Sequence, residues 1–349
     1  VLSRTLTPLA ALATLAAVAG VAGPGPGDAH AGEPASDPTR ILIIGDSVTN
    51  GSVGDWTWRY RLWNNLTGPG GADVDFVGPN VGVLDGEADT INAMEYADPD
   101  FDVDHAARWG MSLALPDHPA GDLVAAYGAD VVIEHLGLND LTWLRETPEA
   151  VAGLARRLVT DARAASPDVS VVLCQLPQTW IGKTAEYNRL IEDVAAELDD
   201  AAARVVVAEA PDPFLLDVDT WDLAHPSAMG EVKIARSVAE ALADVGVGTA
   251  PEVFPQVVNG PAEAPVLASV QTHGIDVGLT WSGALGATGV RWWWRDVTAE
   301  GDWLEVREPG RVAVRPGQVS EWRVQAFKGA AVSPLFSNVV RLSRPPRTR

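Results

Sequence analysis

Between residues 40 and 245 the chain repeats one alternation, a short apolar run followed by a longer stretch whose apolar positions recur at helical spacing. The runs RILIIG (40–45), VDFVG (74–78), ADVVIEHLG (129–137), VSVVLCQLP (169–177) and ARVVVAEA (203–210) are the strand candidates, and several of them are apolar along almost their whole length. Such a strand has no face to give to water, so it must be covered on both sides, which is the condition of a parallel sheet held between two layers of helices. The segments EAVAGLARRLVTDARAA (149–165) and AEYNRLIEDVAAELDDAAA (185–203) supply helices between strands. SAMGEVKIARSVAEALADVG (227–246) closes the series, with Ser227 placed to cap its start and Gly246 past its end. The pattern predicts a three-layer α/β/α domain.

A Pro-containing stretch, GTAPEVFPQVVNGPAEAP (248–265), then changes the period from helical to strict alternation. VGLTWS, GVRWWWRDV, SEWRVQAF and SNVVRLS read as antiparallel strands separated by Gly and Pro turns. Val290, Trp292 and Trp294 fall on one face of their strand, as do Trp322, Val324 and Ala326 on theirs, which predicts a small β-sandwich. The charge divides at the same place. After Ala250 there are 11 basic and 9 acidic residues, leaving 14 of the 25 basic and 38 of the 47 acidic ones before it. The net charge of −22 therefore belongs to the first part, and it argues against nucleic acid or an anionic membrane as partner.

The first 31 residues read as a signal peptide: Arg4, then the apolar run LAALATLAAVAGVAG, then Ala29-His30-Ala31 as a small-x-small cleavage site. The run is short and weakly apolar for a membrane span, so the expectation is an exported, extracellular protein with no span in its mature form. Cys174 is the one cysteine and lies in a strand-like run, so no intramolecular disulfide forms and the thiol reads as a small buried hydrophobe.

At the end of the first strand stands GDSVTNG (45–51). Ser47 has two readings there: a cap for the helix that follows, or a nucleophile at the carboxyl end of a parallel strand, where open α/β sheets place reactive groups. A nucleophilic serine needs an imidazole to take its proton and a group to hold that imidazole. Of the six His, His30 leaves with the leader, His273 lies in the β-rich part, His105 follows the acidic run DPDFDVD and His135 sits inside a strand. His118 and His225 remain, each followed by Pro. His225 is the stronger candidate, because Asp222 three residues earlier can fold back onto it in one loop, whereas Asp117 is the sequence neighbour of His118. Acyl transfer also needs donors for an oxyanion. Gly137 and Asn139 in GLND stand at a strand end, Asp140 reads as a brace or cap, and Gly110 in ARWGMSL can offer a backbone N–H. Asn139 can equally form an Asx turn. Asp98, Asp100, Asp102 and Asp104 alternate like a calcium loop, but the sixth position is Val103 and the twelfth Trp109, so a solvated acidic loop is the better reading.

Together these blocks resemble the SGNH, or GDSL-type, hydrolases. Gly45-Asp46-Ser47, Gly110, Gly137 to Asp140 and Asp222 to His225 match the family's four blocks in order, with Val48 where its name has Leu. The resemblance implies a flavodoxin-like fold for the catalytic domain, a nucleophile at Ser47, a base at His225 oriented by Asp222, and an oxyanion hole of Ser47, Gly110 and Asn139, with Asp46, Gly137 and Asp140 in support. It implies no metal or cofactor. The β-rich part resembles a fibronectin type III module, with Trp281 as its early core Trp and Trp322-x-Val324-x-Ala326 in place of Tyr-x-Val-x-Ala. The expected organisation is a leader (1–31), a short linker (32–39), the catalytic domain (40–247), a linker (248–263), the β-sandwich (264–343) and a tail (344–349). The expected activity is that of a secreted serine esterase acting on short-chain or carbohydrate-linked acyl groups, with the C-terminal module attaching to a polymer or cell surface and the catalytic part folding without it. A long-chain lipase of the same family and a non-catalytic surface-binding protein are the alternatives.

Overall fold

The computed structural model describes residues 37–85, 89–250, 260–271, 276–309 and 311–346, so the expected leader lies outside the described residues. The chain enters β1 (Thr39–Gly45), turns through α1 (Ser47–Asn50) into α2 (Thr57–Thr67), and continues through β2 (Val74–Val77), the short β3 (Val83–Asp85) and β4 (Thr90–Ala93), and β5 (Ala106–Ala107). Then follow α3 (Ala120–Tyr127), β6 (Val131–His135), α4 (Leu138–Thr142), α5 (Pro148–Ala165), β7 (Ser170–Cys174), α6 (Thr184–Leu198), β8 (Val205–Ala208), α7 (Leu216–Asp219) and α8 (Ala228–Asp244). The main strands pair in parallel in the order β2-β1-β6-β7-β8, and β5 also pairs with β1.

The apolar runs explain this sheet. Ile41 to Ile44 on β1 and Val131 to Ile133 on β6 are all buried, and Val171 to Leu173 on β7 are completely so. Helix α2 packs on α8, while α3 packs on α5 and α5 on α6, so the helices form two groups. Side-chain caps start the two long helices where the sequence places them: Thr147 accepts from Ala150 N at the head of α5, and Ser227 from Gly230 N at the head of α8. Cys174 is buried with a free thiol.

The order of strands locates the site. From β1 the chain moves to β2 on one side, then returns to lay β6 on the other, so the connections diverge at the carboxyl ends of β1 and β6. That is where open α/β sheets open a crevice. Gly45 is the register partner of His135, which sets the segment beginning at Asp46 beside the one beginning at Leu136.

The C-terminal part is antiparallel: β9 (Val266–Gln271), β10 (Asp276–Ser282), β11 (Gly289–Asp296), β12 (Leu304–Val306), β13 (Val312–Ala313), β14 (Val319–Lys328), β15 (Ala331–Phe336) and β16 (Val340–Ser343). One sheet has the order β13-β10-β9 and another β12-β11-β14-β15, with β16 also on β14. Leu267, Trp292, Val312, Trp322, Val324 and Leu342, drawn from both sheets, share one apolar core. Residues 38–349 form a single compact unit. Among the described residues no helix is long and apolar enough to cross a membrane.

Candidate active site

The turn after β1 is built around a buried carboxylate. Asp46 Oδ1 accepts from Val48 N at 2.9 Å and is the cap of α1, so the capping role falls to Asp46 and not to Ser47. Ser47, the first residue of α1, is 8% exposed, and among the described residues its hydroxyl has no hydrogen-bond partner. Burial pushes the Asp46 carboxyl up to about 7 against the pull of the Val48 N–H and of His225. Helix α1 is a single turn whose last carbonyls face the buried Arg59. Its guanidinium donates to Thr49 O at 3.0 Å and Asn50 O at 3.2 Å, and reaches Val103 O and Tyr96 Oη beyond them.

Asp222 and His225 lie in the loop between α7 and α8. His225 Nδ1–H donates to Asp222 Oδ2 at 2.6 Å, while Asp222 Oδ1 accepts from the backbone N–H of His225 at 2.8 Å and of Ala224 at 3.2 Å. Leu223, at φ 76°, takes the left-handed conformation that makes so tight a reversal. Burial raises the Asp222 carboxyl, but the ring and backbone donors of His225 outweigh it and hold the group below its ordinary value. A carboxylate on Nδ1–H leaves Nε2 as the proton acceptor of a neutral ring. Two indoles flank this imidazole: Trp109 stacks on it at 4.3 Å between centroids and Trp221 at 5.6 Å. Trp109 Nε1 also donates to Gly51 O at 2.7 Å, and Gly51 N returns a bond to Ser47 O, so one indole ties His225 to the serine turn. His225 and Ser47 themselves share no hydrogen bond.

The competing histidine is placed otherwise. His118 is exposed, and its neighbour Asp117 is turned to Arg108 Nε at 2.6 Å. His105 is buried with its ring held by Gly82 O and Ala107 N, and His135 is buried against Trp58 with burial pushing it down to about 4.

The donors on the facing side come from two loops. Arg108 N bonds to Gly45 O, which draws the segment after β5 across the end of β1, and Met111 N closes a turn on Arg108 O with Gly110 at φ +74° in its third position. No described residue accepts from the backbone N–H of Ser47 or of Gly110. Gly137 is the residue before α4, and Asn139 is in its first turn. The Asn139 amide makes no local Asx turn; it crosses to Met111 O at 2.9 Å and to Asp46 Oδ2 at 3.3 Å. Asp140 braces the same loop, accepting from Leu113 N and Ala114 N, both at 2.9 Å. Asp46, Asn139, Asp140 and the 111–114 backbone thus form one hydrogen-bonded rim, with the free N–H groups of Ser47 and Gly110 in the two turns beside it.

The acidic run beyond this rim spends its carboxylates locally. Asp98 accepts from Tyr60 Oη and Asp102 from Phe76 N, and among the described residues no three acidic, His or Cys side chains could hold a metal ion. Of the tryptophans near the serine, Trp58 is core, Trp63 packs edge-on to Phe76, and Trp56 packs on Tyr60 and Arg61. Sequence reasoning missed Arg59 and Trp221 as neighbours of the site, and met Trp109 as the residue that breaks a calcium-loop pattern. Charge inside a helix otherwise buried on that face was the one signal that pointed to Arg59.

The model of the GDSL-like Lipase/Acylhydrolase family matches residues 43–232. A multidomain esterase of Ruminococcus flavefaciens is 25% identical over 221 residues, covering 56% of this chain; the chain spans 27% of that relative's length. Among solved structures, an acetyl esterase variant with acetate ion matches at 25% identity and a TM-score of 0.50, over 59% of this chain and 97% of its own. A family 3 carbohydrate esterase from Talaromyces cellulolyticus matches over the same shares at 25% identity and a TM-score of 0.49.

Proposed function

Because the chain belongs to the GDSL-like Lipase/Acylhydrolase family, and its residues 43–232 form an ester-bond hydrolase domain, we propose that it is an exported serine esterase that removes short acyl groups from carbohydrate-linked esters. The observation that carries the reading is the 2.6 Å pair of His225 and Asp222 stacked against Trp109, whose indole is bonded to the serine turn. In this reading Ser47 Oγ attacks the ester carbonyl as His225 Nε2 takes its proton. The N–H groups of Ser47 and Gly110 and the Asn139 amide hold the oxyanion. The imidazolium, kept in register by Asp222, returns the proton to the departing alcohol, and water then releases the acid from the acyl-enzyme by the same steps.

The short-chain preference is supported by the indole of Trp109 over the base, which narrows the approach, and by the acidic surface, which anionic lipid interfaces repel. The acetyl esterase likeness points the same way. The fibronectin type III reading of residues 264–343 is supported by the apolar core shared between the two antiparallel sheets. One experiment tests the activity: a fluorophosphonate should label the wild-type protein and not Ser47→Ala, and the wild type should cleave acetyl and butyryl esters faster than palmitoyl esters. A binding protein would take no label. A lipase would show kcat/KM climbing with chain length and a jump in rate above the micelle threshold.

A further inference from the structure

The C-terminal part presses against the loop that carries Asp222 and His225 and against the loop that follows α1. Lys328, at the end of β14, is only 8% exposed. It forms an ion pair with Asp55, donates to Ser52 Oγ at 3.0 Å and sits 4.8 Å from the centre of the Trp221 ring. A side chain on the next residue, Gly329, would come within 2.8 Å of Trp221 Cα. At a second contact Gly54 and Gly286 meet backbone to backbone: a Cβ on Gly54 would lie 2.3 Å from Leu285 O, and one on Gly286 2.5 Å from Val53 O. Only glycines let two chains approach so closely.

Between these contacts lies a cleft of about 520 Å³, lined by Ser52, Asp85 and Trp221 from the α/β part and by Glu263, Trp281 and the 283–288 loop from the β part. That volume lies within the ~300–1,000 Å³ usual for small-ligand sites. Trp221 is the wall the cleft shares with the site, since the same indole stacks on His225. In the proposed mechanism the departing alcohol receives its proton from that imidazole, so its place is on the imidazole side, the side on which Trp221 stands.

We propose that this cleft binds the alcohol half of the ester, and that the alcohol it takes is a neutral carbohydrate. This rests on the serine esterase reading and adds the β part to the substrate site. The indole of Trp281 offers a flat apolar face suited to the C–H face of a sugar ring, with Trp221 as the wall opposite the loop, and the carboxylate of Glu263 offers an acceptor for its hydroxyls. Lys328, the cation of the lining, is already paired with Asp55, which disfavours a phosphate or an acidic sugar.

The test compares a partially acetylated cello-oligosaccharide with p-nitrophenyl acetate in Trp281→Ala, in Ala287→Trp, which fills the cleft, and in Glu263→Gln, whose amide keeps the bond from Leu285 N. Loss of one stacked face is worth about a fivefold to tenfold fall in the ratio of the two kcat/KM values. Because Trp281 also packs on the core of the β part, Ala287→Trp and Glu263→Gln keep the proposal testable if Trp281→Ala does not fold. Independently of turnover, the unacetylated oligosaccharide should bind the Ser47→Ala protein by calorimetry and should lose that binding when Ala287→Trp is added. An unchanged ratio in Ala287→Trp, or binding that survives it, overturns the cleft and leaves the esterase standing. Turnover that persists in Ser47→Ala overturns the nucleophile instead, and the calorimetric comparison then decides the cleft alone.

Discussion

His225 can serve as a base through one nitrogen only, because Asp222 holds the other. Replacing His225 by Ala should abolish turnover, while His118→Ala, whose neighbouring carboxylate is committed to Arg108, should keep most of it; steady-state rates on p-nitrophenyl acetate read the difference, and the reverse pattern would move the base. Asn139 bears a second prediction. Its amide hydrogens reach Met111 O at 2.9 Å and Asp46 at 3.3 Å, and in the proposed mechanism the longer contact is the one a developing oxyanion displaces. Asn139→Ala should lower kcat by about 10²–10³, the cost of one oxyanion donor, with a much smaller change in KM. These residues were readable in advance because the pair sits three positions apart and the glycines mark turns. Trp109 was not, since nothing in its neighbours announces an indole laid on an imidazole more than a hundred residues away.

A helix of one turn such as α1 cannot hold itself, and its neighbours do so from outside: Arg59 takes its terminal carbonyls, and the ladder of β1 fixes its start. The loop that carries Asp222 and His225 depends in the same way on β14, through Lys328 and Trp221. Lys328→Met should destabilise the protein by about 3–5 kcal/mol, because Asp55 is left buried without its partner; thermal or urea denaturation measures it. A chain ending at Gly248, which composition and the placement of the triad lead one to expect to fold unaided, should by this account melt lower and turn over more slowly than the full chain. Strands buried on both faces, such as β1, β6 and β7, were legible as apolar runs, as was α5 from its helical period and α8 from its period and the Ser227 cap. The brief β3, β4 and β5 were not, because two to four residues paired across a loop leave no period. Nor was the docking of Lys328 on Asp55, since a contact between distant parts of the chain has no local pattern.

Across the whole molecule, buried carboxyls set how stability responds to pH. Burial pushes Asp46 up to about 7 and Glu134 up to about 8; burial and the nearby Asp55 likewise raise Glu231. In the unfolded chain such groups release their protons near pH ~4. Between there and about 8 the folded state therefore binds more protons than the unfolded state, so their contribution to stability falls as pH rises and levels off above. Asp222 acts with the opposite sign, its contribution being lost as pH falls through its lowered value. Glu134 Oε1 accepts from Leu136 N while Oε2 has no partner among the described residues. Glu134→Gln should therefore raise Tm more at pH 8 than at pH 5, and a Tm gain independent of pH would contradict the assignment.

The turn that joins Asp222 to His225 has a mechanical meaning. Three hydrogen bonds inside four residues make the pair one rigid body, so the loop between α7 and α8 can travel without changing the tautomer or the angle of the ring. In the proposed mechanism the alignment of the base then reduces to a single coordinate, the approach of that body to Ser47. The Nδ1 proton of His225 should consequently give a downfield NMR signal that persists whether the ring is neutral or charged, and that is lost in Asp222→Ala, while the resonances of the Trp109 indole, which bridges His225 and the serine turn, should shift when an inhibitor occupies the serine.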